Sequence, residues 1–186
     1  MMWSCQIMMR WWRILRFTDS FKGFQSLSAC PELFKGWFQR FKYKRFMEVI
    51  ELTAYSEAYV SELDALMHEL APSARATEEC VRKVIANNDM HQYAIFDGER
   101  MVACATLCVC HTPEMVIGFV EAVVVTAACR GQHLGRKLME RLLTDAKGFG
   151  VQSVHLTSNP KRVAANGLYQ ALGFERYETN CYHLEL

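Results

Sequence analysis

The sequence predicts an α/β domain whose central sheet is mixed and is flanked by helices. Hydrophobic residues make up 51% of the 186 residues and charged residues 22%, which is the balance of an ordinary globular chain of one domain. From Met47 onward, strand and helix patterns follow in the order β-α-α-β-β-β-α-β-α-β-β. Because this order is neither a repeat nor a strict alternation of strand and helix, it indicates a mixed sheet.

Two amphipathic helices follow the first predicted strand. Alternation of apolar and polar residues predicts that strand over Met47–Thr53. Ser56 can cap a helix that runs to about Leu70, since apolar residues recur along one stripe of it. Thr77 and the acidic pair after it open a second helix, which continues through Ala86.

The next three strands form the predicted centre of the sheet. The dipeptide Asp97-Gly98 is a hairpin signal, and it lies between the strands Gln92–Phe96 and Met101–Cys110. The third strand, Val116–Thr126, is β-branched and almost entirely apolar, which favours a central position. Glu121 interrupts this apolar run, and a charged group in a buried strand is costly unless it is paired or used.

The last third of the chain alternates between helix and strand. Leucines at helical spacing, starting at Leu134, predict a helix that ends at Gly148. Asn159 and Pro160 predict a further helix start, with proline at the first helical position, and this helix continues to Leu172. Short apolar runs predict three more strands, at Val151–Thr157, Phe174–Arg176 and Tyr182–Leu186.

Composition changes sharply near Met47. Residues 1–46 hold nine of the 21 Lys and Arg, two of the 20 Asp and Glu, and all four Trp, whereas the rest of the chain carries a net negative charge. We expect this basic, aromatic segment to be poorly ordered, or to be upstream sequence read because the start was assigned too early. A membrane-surface anchor and a docking arm for a partner or for nucleic acid stay open as alternatives.

Bulk composition favours a cytoplasmic protein. The net charge of +1 points to no partner, and no nucleic acid is expected. No apolar run approaches the ~20 residues that span a bilayer, so no transmembrane segment is expected. The eight Cys show neither a disulfide framework nor zinc spacing, and we expect reduced, buried cysteines and no metal. A homodimer stays open.

The segment Arg130–Arg136 carries the strongest chemical signal. It follows a central strand and opens a helix, so its backbone N–H groups and the positive end of the helix dipole form an anion cradle. Gly131 and Gly135 let the backbone approach a bulky diphosphate, and the two arginines add charge. The spacing matches neither the dinucleotide fingerprint nor the Walker loop, which disfavours a dehydrogenase and an ATPase. A tight turn that needs glycine is the structural alternative.

The same segment resembles a motif of the GNAT superfamily of N-acetyltransferases. The family carries R/Q-x-x-G-x-G/A before a helix, and Arg130–Gly135 reads RGQHLG, with His133 where the first glycine of the motif usually stands. The stretch Ala165–Phe174 is similar to the family's A-x-x-LY-x-x-x-GF ending. Together these similarities imply the mostly antiparallel sheet of an acyl-CoA N-acyltransferase fold over residues 47–186, and an acetyl-CoA-dependent N-acetyltransferase.

The resemblance also implies roles for individual residues. Glu121 would take the proton from the attacking amine, and Tyr169 would protonate the departing thiolate. Their structural alternatives are a solvent-facing carboxylate and an aromatic ring packed on the sheet. The residues that would contact acetyl-CoA are Val123, Val124, Val125, Arg130, Gly131, Gln132, His133, Leu134, Gly135, Arg136, Asn159 and Asn166. Asn159 is at the same time a helix-cap candidate.

The acceptor is expected to be a primary amine of a small molecule or a peptide. Its specificity surface is predicted to come from the two early helices, including His68, Glu69 and Arg75, and from the last hairpin, around Tyr177–Tyr182. A non-catalytic acyl-CoA-binding sensor is the second hypothesis. The joint presence of a candidate base and a candidate acid favours the enzyme.

Overall fold

The computed structural model describes residues 47–185, which lie within one compact unit of the chain, Arg45–Leu186. The expectations for residues 1–46 lie outside the described residues. The elements of the described part are β1 (Val49–Glu51), α1 (Glu57–Leu70), α2 (Glu78–Ala86), β2 (Met90–Asp97), β3 (Arg100–His111), β4 (Val116–Val125), a 3-10 turn (Ala127–Cys129), α3 (Leu134–Gly148), β5 (Ser153–Leu156) and α4 (Val163–Ala171).

The strands of the described part form one sheet in the order β1-β2-β3-β4-β5. Neighbours from β1 to β4 pair antiparallel, and β5 pairs parallel to β4. Apolar residues of α1 and α2 pack on one face of the sheet, and those of α3 and α4 pack on the other. The predicted α/β class, with a mixed and mostly antiparallel sheet flanked by helices, is confirmed.

Alternation along β3 supplies both faces of the core. Ala103, Ala105 and Leu107 point toward α3, whereas Cys104 points toward α1 and α2. Burial raises the pKa of the Cys104 thiol to about 12, so this cysteine acts as a small hydrophobe. The expectation of buried cysteines is only partly right, since three free cysteines among the described residues are exposed, Cys80, Cys110 and Cys181.

Two predicted helix starts have different outcomes. Thr77 caps α2 as expected, because its hydroxyl accepts a hydrogen bond from the Cys80 backbone N–H at 3.2 Å. The last helix begins at Val163 and not at Pro160, which corrects the prediction. The reason is local, since the Asn159 side chain accepts from the Lys161 backbone N–H at 2.9 Å and stabilises a turn before the helix.

The two predicted C-terminal strands are wrong. Residues 174–185 adopt no regular secondary structure, and Leu186 lies outside the described residues. A short apolar run becomes a strand only where a neighbouring strand accepts its backbone hydrogen bonds. Here Tyr182 and Leu184 are 87% and 80% exposed, so this alternation does not reflect a buried sheet face. The strands β1 and β5 are also shorter than predicted.

Candidate active site

The strand β4, between β3 and β5, contains a bulge directly after Glu121. Thr106 of β3 pairs with Glu121, but Cys104 pairs with Val124, so β4 holds one extra residue between these pairs. Ala122 accommodates it with a φ of 53°, in the left-handed region. Simple alternation would have put Ala122 on the face opposite Glu121. The bulge instead leaves both residues on the face that α1 and α2 cover, since Ala122 and Thr106 line the same cavity there.

Beyond the bulge, β4 separates from β5. The two strands pair from Ile117 with Ser153 to Val120 with Leu156, and no pairing with β5 continues along the described residues 121–125. Just after β5, the Ser158 hydroxyl is buried and lacks a hydrogen-bond partner, alone among the buried side-chain polar atoms of the described residues. Buried polar groups are normally paired, so this gap between two diverging strands is a place where a polar ligand can bind.

The three predicted valines combine core side chains with an available backbone. Val123 and Val125 pack against the core under α3 and α4, whereas Val124 is buried under α1 and α2. Their side chains therefore contribute to the packing of the core. What this stretch offers on the β5 side is its backbone N–H and C=O groups, at the edge where the strands separate.

The loop after β4 exposes the unpaired N–H groups of a helix N-terminus. Gly131 has a φ of 76°, and His133, with a φ of 59°, is the N-cap residue of α3. The His133 side chain makes no capping hydrogen bond, and the first backbone bond of the helix runs from Lys137 to the His133 carbonyl at 3.1 Å. The preceding N–H groups are thus free to bind an anion at the positive end of a 15-residue helix.

His133 occupies a backbone conformation that favours glycine. We expect His133→Gly to raise the free energy of unfolding by about 1 kcal/mol, because the left-handed conformation costs a residue with a Cβ about that much. Gly131→Ala is the matched change in the opposite direction. A Cβ at Gly131 would meet nothing within 4 Å, so its loss of stability would come from the backbone alone. Urea unfolding of both variants tests this, and a less stable His133→Gly protein would contradict it.

Glu69, at the end of α1, anchors the start of this loop. Its carboxylate accepts hydrogen bonds from the Thr126 hydroxyl at 2.6 Å and from the Ala127 backbone N–H at 2.7 Å. The guanidinium of Arg130 lies 3.8 Å from the same carboxylate, and its Nε donates to the Val125 carbonyl at 3.3 Å. The bond from Thr126, followed by that from Ala127, holds the pKa of Glu69 below its ordinary value. Glu69 was predicted to belong to the acceptor surface, and no local pattern of the sequence indicates this anchoring role.

The anchor predicts a pH-dependent stability effect for Thr126→Val. This nearly isosteric change removes the donor to an ionised carboxylate, so the free energy of unfolding should fall by about 1–2 kcal/mol at neutral pH. The folded-state pKa of Glu69 is lowered, so the contribution is complete above the ordinary value of 4.5 and is lost as the pH falls through the folded value. The difference in the free energy of unfolding between wild type and Thr126→Val should therefore become smaller as the pH falls.

Thr106→Val is the matched control for this experiment. Thr106 is also buried, but its hydroxyl donates to the neutral Gln92 side chain, at 2.8 Å. Its replacement should cost about 1 kcal/mol at every pH between 3 and 7 (roughly the range of carboxylate titration). Denaturant unfolding across that range compares the two variants. Parallel pH profiles would mean that Glu69 does not hold the loop through its charge.

The two predicted asparagines organise the turn before α4. The Asn166 side-chain amide donates to the backbone carbonyls of Asn159 at 2.9 Å and Arg162 at 3.0 Å. Asn159 caps the turn at Lys161 and does not cap α4, whose N-cap residue is Arg162. The carboxamide oxygen of Asn166 and the amide nitrogen of Asn159 have no partner among the described residues, so each asparagine keeps one polar group for a ligand.

Tyr169 is buried on α4, next to the loop. It is 8% exposed, and its ring meets Phe174 edge to face at 6.0 Å. Its hydroxyl has no hydrogen-bond partner within the described part of the chain. Burial raises the pKa of Tyr169 above its ordinary value of 10, against the opposing effect of Arg162, so the hydroxyl stays protonated at neutral pH.

Gly135 lets α4 come close to the loop. A Cβ at this position would lie 3.3 Å from Leu168 Cδ2 and 3.7 Å from Val125 Cγ2. The loop, the edge of β4 and the helix that carries Tyr169 therefore meet at one end of the sheet. Glu121 lies on the α1 and α2 face through its pairing with Thr106, whereas Tyr169 packs on the α3 and α4 face.

Two further properties of the described residues bear on cofactors and membranes. Residues 47–185 contain no cluster of three His, Cys, Asp or Glu side chains arranged to hold a metal ion. None of the helices described is both long and apolar enough to cross a membrane.

The comparison with known families agrees with this architecture. A sequence model of the acetyltransferase (GNAT) family matches residues 52–174. The chain belongs to that family, as the motifs predicted.

Two plant N-acetyltransferases are similar to this chain over short stretches. Serotonin N-acetyltransferase 2, chloroplastic, from Oryza sativa subsp. japonica is 46% identical over 52 residues, which are 28% of this chain and 24% of that protein. Glucosamine 6-phosphate N-acetyltransferase 1 from the same organism is 40% identical over 58 residues, or 31% of this chain and 33% of that protein. The matched stretches thus span about a quarter to a third of these relatives' lengths.

Solved structures share the fold at low sequence identity. Glucosamine-6-phosphate N-acetyltransferase from Arabidopsis thaliana is 18% identical, with a TM-score of 0.61 over 74% of this chain and 97% of that one. An aminoglycoside acetyltransferase from an uncultured soil metagenomic sample is 15% identical, with a TM-score of 0.66 over 77% and 99%. The aminoglycoside N-acetyltransferase AAC(6')-Iy, solved with CoA, is 13% identical, with a TM-score of 0.62 over 74% and 93%. These likenesses establish the fold.

Proposed function

We propose that this chain transfers an acetyl group from acetyl-coenzyme A to a primary amine of a small molecule or a peptide. The observation that carries the proposal is the open N-terminus of α3 beside the separation of β4 from β5, in a member of an acetyltransferase family. The relatives' names specify serotonin and glucosamine 6-phosphate, and both compounds are primary amines. The exposed free cysteines suit a reducing compartment, so we propose a cytoplasmic location.

The coenzyme would bind along three consecutive surfaces. Its diphosphate would accept hydrogen bonds from the N–H groups of residues 131–136, with Arg136 close by. The pantetheine arm would then pair with the free backbone edge of Val123–Val125 in the gap that β5 leaves. The Ser158 hydroxyl and the Asn166 carboxamide would satisfy the arm's amide groups, which gives the buried orphan hydroxyl a partner.

Acetyl transfer would use one group from each face of the sheet. Glu121 would accept a proton from the acceptor ammonium, directly or through a water, which leaves a neutral amine. The amine nitrogen would then attack the thioester carbon, and N–H groups of the β4 edge would stabilise the oxyanion. As the carbon–sulfur bond breaks, the Tyr169 hydroxyl would donate its proton to the thiolate. The second proton of the attacking nitrogen, now cationic, would leave to solvent, and solvent would return a proton to Tyr169. The products are the acetylated amine and coenzyme A.

Binding of acetyl-coenzyme A tests the proposal first. At a hundredfold excess over its dissociation constant, the coenzyme should stabilise the folded chain by about 2.7 kcal/mol, since it binds only the native state. Thermal unfolding with and without millimolar acetyl-coenzyme A measures this, and free acetate with adenosine is the control. Release of coenzyme A thiol with a panel of primary amines then tests turnover. A chain that shows no thermal shift with the coenzyme does not bind it, and the proposal fails.

A further inference from the structure

A partly open, largely apolar cavity lies between α1, α2 and the sheet, beside the proposed base. We propose that it receives the side group of the acceptor, and that the acceptor is therefore an amine with a compact apolar group, such as one aryl ring or a branched aliphatic chain. This inference rests on the proposed function, because it names the acceptor of the same reaction.

The position of the cavity ties it to Glu121. Its floor includes Ala122, which follows Glu121 in the bulge, and Thr106, which pairs with Glu121 across β3 and β4. Side chains of directly paired residues lie on one face, with Cβ atoms about 4.5–5.5 Å apart. An acceptor whose side group fills the cavity would thus hold its amine within reach of the Glu121 carboxylate.

The size of the cavity suits one ring. Its volume is about 140 Å³. A dry protein cavity of about 150 Å³ binds benzene, so a single aryl group or a branched chain of similar bulk fits. Apolar side chains supply most of the walls, which are formed chiefly by Leu63, Met67, Val81, Val84 and Ile85.

Two of the polar side chains that line the cavity, those of Gln92 and Thr106, are already satisfied by the protein. The Gln92 amide donates to the backbone carbonyls of Tyr93 and Ala105, both at 3.2 Å, and its oxygen accepts from the Thr106 hydroxyl. Arg75, which also lines the cavity, donates through Nη1 to the carbonyls of Pro72 and Ala74, at 2.9 and 2.7 Å, and its Nε and Nη2 have no partner among the described residues.

Because Gln92 and Thr106 are already hydrogen-bonded within the protein, the cavity disfavours a hydrophilic acceptor. A sugar or a phosphorylated amine would lose water on entering the cavity and would find few free partners there, which is costly. An apolar group has no hydrogen bonds to water to lose, and its transfer from water into the cavity is favourable. The cavity therefore selects by shape and burial and not by hydrogen bonding.

Substrate preference tests the inference directly. The kcat/KM for coenzyme A release is compared for 2-phenylethylamine, ethylamine and glucosamine. We expect 2-phenylethylamine to exceed both others by a factor on the order of 10–200, the range for a hydrophobic group in a fitting pocket. A preference for glucosamine would overturn the inference.

Two substitutions of Val84 locate the effect. Val84→Phe fills the cavity and should abolish the advantage of 2-phenylethylamine over ethylamine. Val84→Ala enlarges the cavity and should shift preference toward a 2-naphthylethylamine, which keeps the test valid if the larger residue prevents folding. Ala86→Phe adds the same ring at an exposed position of α2 and should change neither preference. Unchanged selectivity in both Val84 variants would overturn the inference.

Direct binding separates this inference from the proposed function. Calorimetry measures the affinity of 2-phenylethylamine in the presence of coenzyme A, independent of turnover. If no amine is acetylated but this affinity is present and is lost in Val84→Phe, the proposed function fails and the chemistry assigned to the cavity holds. If amines are acetylated but 2-phenylethylamine binds no better to wild type than to Val84→Phe, the function holds and the inference fails.

Discussion

Replacing Tyr169 by Phe should lower turnover by about 10²–10⁴-fold, the usual contribution of a general acid. The substitution removes one hydroxyl that has no partner within the described residues, and it keeps the ring against Phe174. Packing and coenzyme affinity should therefore stay nearly unchanged, because the loss falls on the transition state alone. Coenzyme A release at saturating acetyl-coenzyme A, together with a calorimetric affinity for the same variant, measures both quantities.

Tyr93→Phe is the matched control. Tyr93 is also buried in the core beneath α3, but its hydroxyl donates to the Asp145 carboxylate at 3.0 Å. Its loss should reduce stability by about 1 kcal/mol or more and leave turnover unchanged. The two variants thus distinguish a hydroxyl that takes part in the reaction from one that only stabilises the fold. Near-normal turnover in Tyr169→Phe would remove this residue from the mechanism. Low turnover in the wild type and in both variants would favour the non-catalytic sensor.

Replacing Glu121 by Gln should also lower turnover by about 10²–10⁴-fold at neutral pH, because the amide cannot take the proton from the acceptor ammonium. Glu121 is exposed, so the fold should tolerate the change. The difference in turnover between wild type and Glu121→Gln should become smaller as the pH approaches the pKa of the acceptor, ~10 for an alkylamine. The amine then loses its proton to solvent without help from the carboxylate. A pH–rate profile of wild type and variant provides the measurement.

Glu114→Gln serves as the control for the loss of one negative charge. Glu114 is exposed in the turn that leads into β4, and its replacement should leave the profile unchanged. If Glu121→Gln loses the same factor of activity at every pH, the carboxylate does not act as a base. It would then act on the acceptor by another route, such as attraction of the ammonium group.

Local signals determined most of the fold. Asp97-Gly98 predicted the hairpin, and the structure has Gly98 at a φ of 67° with Asp97 paired to Arg100. The apolar run of β4 predicted a position inside the sheet, between β3 and β5, and the loop with its glycines predicted the exposed N-terminus of α3. These features depend on residues that are neighbours in the chain, because turn geometry, strand alternation and helix termini are short-range properties.

Only the tertiary structure decided which of these groups meet. The bulge at Ala122 arises from the pairing of β4 with β3, and no local pattern of the sequence marks it. The two predicted C-terminal strands failed because strand formation needs a partner edge, which a short apolar run does not specify. Glu69 reaches Thr126 over 57 residues of sequence, so its anchoring role depends on the packing of α1 against the end of β4. Residue types thus determined the chemistry available to this protein, whereas long-range contacts decided where that chemistry is assembled.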